Sequence, residues 1–308
     1  MKHKKIGIVL GGGAARGFAH IGVLKVLLRE GIRPDIIVGT SMGAIIASLF
    51  AVHMDTDIIL GRIREYLSSD KFSKIKFDLL KVADEAAVED GLFAAVSRYL
   101  KKSIFYSVSM TRQSYVSIEN YMLNISSVID DISIQDTRVP LAVICTNINT
   151  GEEMVLTEGP LRPAVAASSA IPGIFPPIDF DGRLLVDGGW VDQLPVGPCR
   201  KLGANIVIAV DVARKLEQDY SLDNALDILR RTNAITRYTL SNLQAKDADF
   251  LIVPEIPEIS WADFESFEEC VQKGQEAAER SLPAIKHLLK EKTSLVPNFM
   301  RKLLGRKL

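Results

Sequence analysis

The sequence predicts an α/β fold with a mostly parallel sheet, on two observations. Residues 5–10 form a short apolar run that stops at Gly11-Gly12-Gly13 and leads into an amphipathic stretch. Residues 36–38 repeat the pattern, an apolar run stopped by Gly39 and followed by a second apolar segment. Two strand–turn–helix units in about 50 residues imply neighbouring parallel strands joined by helical crossovers.

Each element has its own signal. From about Ala15, Phe18, Ile21, Val23, Leu24, Leu27 and Leu28 give a helix a broad apolar face, and Gly31 stops it. A second helix runs through residues 44–51. The texture then changes: only Gly61 and Gly91 fall between residues 56 and 137. Amphipathic spacing such as Leu92, Phe93, Val96, Tyr99 and Leu100 predicts a helical insertion there. Two readings of it stand, a cover for a site and extra helices packed on the sheet edge. Strands resume at residues 139–146 and turn at Asn149-Thr150-Gly151 into residues 154–156. Asp181-Gly182 predicts a hairpin between residues 178–180 and 184–186. Residues 206–210 and 250–253 complete the strands, and long helices are expected at about 221–246 and 264–290. The chain reads as one domain over residues 1–293, with its insertion at about 56–137 and a tail at 294–308.

Composition narrows the function classes. The 308 residues are 47% apolar and 24% charged, with net charge −1, which is ordinary globular composition and gives no field for nucleic acid. Cys145, Cys199 and Cys270 are too few and too scattered for a metal-ligand pattern and read as buried thiols. The basic start at residues 1–5 is not followed by a signal-peptide core, because glycines and Arg16 interrupt it. The longest non-polar stretch, residues 42–52 apart from Ser48, falls far short of the roughly 20 residues of a membrane span. The expectation is a cytoplasmic protein.

Gly39-Thr40-Ser41-Met42-Gly43 matches the nucleophile-elbow pattern Gly-x-Ser-x-Gly, with an apolar strand before it and an apolar helix after it. Small flanking residues permit the tight turn that projects the Ser41 hydroxyl over a helix N-terminus. A serine at that place can also serve only as a helix cap. The run Gly11-Gly12-Gly13-Ala14-Ala15-Arg16-Gly17 fits a dinucleotide fingerprint poorly in either register, and Gly39 stands where an acid should end the second strand. The better reading is an oxyanion hole, with glycine amides beside the elbow on the same sheet edge. Arg16 either locks that loop and adds positive charge or is a surface residue.

A serine nucleophile needs a base. His3 lies in the N-terminal tail and His287 in the terminal helix, while His53 follows the second helix, away from its active end. His20 sits more than one turn into the first helix. Asp187-Gly188-Gly189, directly after a strand, is the better candidate and completes a serine–aspartate dyad.

Together, Gly-Gly-Gly-Ala-Ala-Arg-Gly, Gly-Thr-Ser-Met-Gly-Ala and Asp-Gly-Gly closely resemble the motifs of the patatin-like phospholipases, particularly bacterial members similar to the neuropathy-target-esterase catalytic domain. The resemblance extends through residues 167–177, 191–196 and 202–204, and covers about residues 4–290 without departure at the motif residues. It implies a three-layer α/β/α fold, a lipid acyl hydrolase, and no metal or organic cofactor. By resemblance Ser41 is the nucleophile and Asp187 the base. The oxyanion hole comes from Gly11, Gly12 and Gly13 with Arg16 at its flank. Ser168 and Ser169 are read as structural. The substrates implied are phospholipid, lysophospholipid or another acyl ester. A non-catalytic lipid-binding or regulatory module of the same fold and a serine acyltransferase stand as alternatives.

Residues 294–308 place Leu295, Phe299, Met300, Leu303 and Leu304 along one helical side, with Arg301, Lys302, Arg306 and Lys307 and no acid. That pattern fits a peripheral anchor at the inner membrane surface; a solvated or core-docked tail is the competing reading. Oligomeric state has no signature in the sequence.

Overall fold

The computed structural model describes residues 4–73, 75, 112–213, 216, 225–257 and 259–293. The helical spacing expected at residues 92–100, the tail at 294–308 and His3 lie outside the described residues.

The first expected unit is present with one difference. Strand β1 (Ile6–Leu10) passes through the glycines into a 3-10 turn (Ala14–Phe18) before helix α1 (Ala19–Arg29) begins. Gly17 of this turn lies against Met42, where a Cβ would sit 2.7 Å from the methionine Cβ. Gly31, at φ 74°, ends the helix as expected. Strand β2 (Ile36–Thr40) runs one residue past Gly39, and Ser41 then caps helix α2 (Met42–His53). Helix α3 (Thr56–Leu67) starts at Asp55, whose carboxylate accepts the Asp57 and Ile58 amides at 2.8 and 3.3 Å. Helices α4 (Asp70–Ser73) and α5 (Ile118–Val128) and a 3-10 turn (Ile134–Asp136) follow among the described residues of the long β2–β3 connection.

Strand β3 (Leu141–Asn147) and strand β4 (Glu153–Leu156) form the first hairpin. Helix α6 (Leu161–Ser168) follows, a short element not expected from the sequence. Asp181 and Gly182, at φ 52° and 74°, make the predicted turn between β5 (Ile178–Phe180) and β6 (Arg183–Asp187). Helix α7 (Val196–Lys201), β7 (Ile206–Val210), α8 (Ala225–Ala245), β8 (Phe250–Ile252) and α9 (Phe267–Thr293) complete the described fold.

The sheet order is β5-β6-β3-β2-β1-β7-β8, with β4 also paired to β3. Strands β3, β2, β1, β7 and β8 run parallel, while β4 and β6 oppose β3. Alternate residues bury into two cores, one on each face. Ile8, Leu10, Ile37, Val143 and Ile208 join α1, α2, α6 and α9 on one side. Val9, Val38, Ile144 and Val207 join Val196 and Cys199 of α7 on the other. Helices on both faces of a mostly parallel sheet are the three-layer arrangement expected.

The register of β3 positions the site. Ile144 pairs with Thr40 of β2 and with Val155 of β4; Cys145 pairs with Asp187 of β6 and with Met154 of β4. Because β4 occupies one edge at both residues, β2 and β6 share the other. They run toward each other and end against one another there.

Helix α9 packs along α1 at backbone distance. A Cβ on Gly22 would lie 2.7 Å from the Gln275 nitrogen, and one on Gly274 would lie 2.7 Å from the Ala19 carbonyl carbon. No helix among the described residues is long and apolar enough to cross a membrane.

Candidate active site

Ser41 stands at the join of β2 and α2 with φ 58° and ψ −125°, a conformation that costs a non-glycine residue energy and concentrates at functional turns. Its neighbours permit the turn. A Cβ on Gly39 would meet the Gly43 carbonyl carbon at 2.5 Å and the Ala44 Cα at 2.6 Å. A Cβ on Gly43 would meet the Leu10 carbonyl carbon at 2.6 Å and the Gly11 oxygen at 2.7 Å. The elbow spacing is therefore a steric requirement of packing β1, β2 and α2 at one point. The backbone N–H of Ser41 donates to the Ser168 hydroxyl at 3.0 Å.

The Ser41 hydroxyl donates to Asp187 Oδ2 at 2.7 Å. Both residues are buried, at 4% and 3% exposure, so this contact is shielded from bulk water. The other carboxylate oxygen of Asp187 accepts the Gly189 N–H at 2.8 Å. Above it, the Thr146 hydroxyl donates to the Asp187 carbonyl at 2.8 Å, and the Asp187 N–H donates to Ala170 at 3.0 Å. Gly188 makes the turn possible, since a Cβ there would lie 2.7 Å from the Ile144 carbonyl carbon. Burial pushes the Asp187 carboxyl above its ordinary range. The Arg237 charge and the hydrogen bonds from Ser41 and Gly189 pull it back.

None of the three described histidines hydrogen-bonds Ser41. His53 pairs with Asp130 at 2.9 Å and His287 with Glu291 at 3.5 Å. His20 is fully buried and donates through Nε2 to the Gly11 carbonyl at 2.8 Å, because a carbonyl only accepts. Burial lowers its pKa to about 4, which keeps the ring neutral. His20 thus fastens the glycine loop.

The loop itself differs from the expectation of three open amides. Gly11 donates to the Val210 carbonyl at 3.0 Å and Gly12 to the Gln193 carbonyl at 3.1 Å. An N–H already given to a carbonyl is not open to a substrate, so these two anchor the loop. Gly13 is the remaining glycine, and its amide meets no hydrogen-bond acceptor among the described residues. Ala14 follows with φ 47°, a second strained non-glycine residue at this edge. Arg16 takes the locking role: Nε donates to Val212 at 3.2 Å and Nη1 to Ile259 at 3.1 Å.

Sequence reasoning left Ser168 and Gln193 without specific functions. Ser168 relays Ser41 to the sheet by donating to the Ile144 carbonyl at 2.6 Å. Gln193 accepts the Gly12 amide on its backbone and returns a side-chain bond from Nε2 to the Gly12 carbonyl. Its place within residues 191–196, where the motif resemblance continues, is the sequence signal that takes it in.

Ser41 also lies on the wall of a cavity with an empty volume of ≈ 810 Å³, its open mouth included. The lining is mostly apolar and aromatic, with Phe18, Ile45, Ile63, Tyr66, Ile125 and Phe264 among it. Helices α3 and α5 of the β2–β3 connection supply much of this wall. Tyr121 stacks on Phe175, with ring centroids 4.4 Å apart, and donates to the Ala166 carbonyl at 2.7 Å. Its polar end is thereby satisfied within the apolar wall.

The profile of the family described as "Patatin-like phospholipase" matches residues 8–200. The chain is 30% identical over 252 residues to "Lysophospholipase nte1" of Emericella nidulans, covering 79% of this chain and 15% of that protein. It is 34% identical over 216 residues to "Patatin-like phospholipase domain-containing protein 7" of Rattus norvegicus, covering 70% and 14%. This chain therefore spans less than a fifth of either relative. Among solved structures, VipD from Legionella pneumophila shares the fold, with a TM-score of 0.50 at 14% identity, covering 92% of this chain and 67% of that one. With the profile spanning more than half of its length, the chain belongs to the patatin-like phospholipase family.

Proposed function

We propose that the chain is a serine lipid acyl hydrolase of phospholipase A or lysophospholipase type, working through Ser41 and Asp187. The single observation behind this reading is the 2.7 Å bond from Ser41 Oγ to Asp187 Oδ2 at the wall of the apolar cavity. Asp187 accepts the hydroxyl proton as Oγ attacks the ester carbonyl, and the tetrahedral oxyanion forms beside Gly13 and the N-terminus of α2. The C–O bond to the alcohol then breaks, and the proton passes from Asp187 to the leaving oxygen. A water molecule gives its proton to Asp187 and attacks the acyl-Ser41 carbonyl; the acyl–Oγ bond breaks, Asp187 returns the proton to Ser41 Oγ, and the fatty acid leaves. The lining of the cavity suits the acyl chain, since apolar and aromatic side chains predominate in it as they do in pockets that bury apolar ligands. The name lysophospholipase borne by the Emericella nidulans relative favours substrates with one acyl chain.

By the same reading, residues 1–293 form the hydrolase domain, with helices α3 and α5 of the β2–β3 connection in the wall of its acyl site. The tail at 294–308 contacts anionic membrane.

Fluorophosphonate labelling with mass spectrometry of the adduct tests this reading, with Ser41→Ala and Asp187→Asn as controls. Labelling at Ser41, lost in both variants, together with fatty-acid release from lysophospholipid is expected. A folded protein that takes no label, with or without liposomes, is a binding module. Acyl transfer to an alcohol in preference to water makes it an acyltransferase.

A further inference from the structure

Arg237 of α8 lies between two parts of the site that are far apart in sequence. Its Nη2 donates to Gln193 Oε1 at 2.9 Å, and Gln193, 2% exposed, grips Gly12 through both backbone and side chain. On the other side, the space over Gly189 is shared. A Cβ built there would lie 3.1 Å from Arg237 Nη2 and 3.1 Å from Asp187 Oδ1. The guanidinium and the carboxylate are therefore no more than about 6 Å apart, within the range where an opposite charge favours the ionised acid. The guanidinium also sits over the Trp190 ring, 5.8 Å from its centroid, which limits how it can turn.

We propose that Arg237 is a positioning residue that couples the Asp187 base to the glycine loop. The inference rests on the reading of Ser41 and Asp187 given above. Its charge holds Asp187 in the ionised form that accepts a proton, against the cost of burial. Its Nη2 holds the Gln193 amide by one hydrogen bond, and Gln193 in turn fixes Gly12 and leaves Gly13 facing the reaction. A lysine supplies the charge without the planar group that lies over Trp190, and a methionine supplies neither.

The test is the pH profile of kcat/KM on a soluble short-chain p-nitrophenyl ester for wild type, Arg237→Lys, Arg237→Met and Asp187→Asn, with the Tm of each. In wild type an acidic limb marks protonation of Asp187. Arg237→Met is expected to move that limb upward by about one pH unit and to lower kcat about tenfold or more at neutral pH. Arg237→Lys is expected to keep the limb within a few tenths of a unit while losing part of kcat through the loosened loop. If the limb of folded Arg237→Met coincides with wild type, the inference is overturned, even when kcat falls, because a purely structural role lowers activity without moving it. If Asp187→Asn retains wild-type turnover, the dyad reading itself fails, whatever Arg237 does.

Discussion

Ser168 braces Ser41: its hydroxyl accepts the Ser41 backbone N–H at 3.0 Å and donates to the Ile144 carbonyl at 2.6 Å. The strained elbow is thus tied to the centre of the sheet by one small side chain, itself fully buried on α6. Replacing it with alanine leaves a buried N–H without an acceptor. Ser168→Ala is expected to lose about 1–3 kcal/mol of stability. Urea denaturation measures the loss, and an unchanged midpoint would remove the brace.

Asp187→Asn is expected to separate stability from activity. The native carboxyl of Asp187 is raised above its ordinary range, chiefly by burial. The folded protein therefore binds this proton more tightly than the unfolded chain does. Stability from that proton is present at low pH and is lost as pH rises through the folded value. Above that value the ionised, buried acid is a cost, which asparagine removes, its Oδ1 still accepting the Gly189 N–H and its Nδ2 able to donate to the Ser41 hydroxyl. The variant should gain roughly 0.5–2 kcal/mol at pH 7 while losing esterase turnover. Thermal melts at pH 7 and at pH 4 check the sign: the advantage must shrink at the lower pH.

The elbow glycines admit no side chain. Gly43→Ala is expected to destabilise by about 3 kcal/mol, because the added methyl meets backbone of Leu10 and Gly11 that the sheet holds in place. Gly61→Ala, in α3 where a Cβ has open space, is the matched control and should keep or slightly raise the melting temperature, since alanine favours a helix interior by about 0.5–1 kcal/mol.

A bulky residue in the cavity should select against long chains. Ile125→Trp narrows the wall on α5, and kcat/KM for long-chain lysophospholipid should fall about tenfold or more while a short-chain ester is turned over as before. Equal losses on both substrates would place the acyl chain elsewhere.

The parts readable in the sequence were the local ones. Gly39, Ser41 and Gly43 announce the elbow because the steric demand that selects them acts within five residues. Asp181-Gly182 announces the hairpin for the same reason. The glycine loop was readable as a loop, but not which of its amides stay open. The acceptors of Gly11 and Gly12 are carbonyls of Val210 and Gln193, about 200 residues away. Arg237 left no mark, because on an amphipathic helix an arginine facing Gln193 has the same spacing as one facing water. Helix α6 was missed because Leu-Arg-Pro at its start and Ser-Ser at its end carry none of the periodic apolar face of a longer helix.

The end-to-end meeting of β2 and β6 on β3 bears on how the chain is made. On the proposed chemistry, the ribosome delivers the nucleophile and the glycine loop first. Neither can hydrolyse anything until β3 has been laid down and β6 has found its register beside Cys145. A nascent chain carrying Ser41 alone is chemically silent. On that chemistry, the potential to cleave lipid arises only in a molecule whose sheet is already assembled.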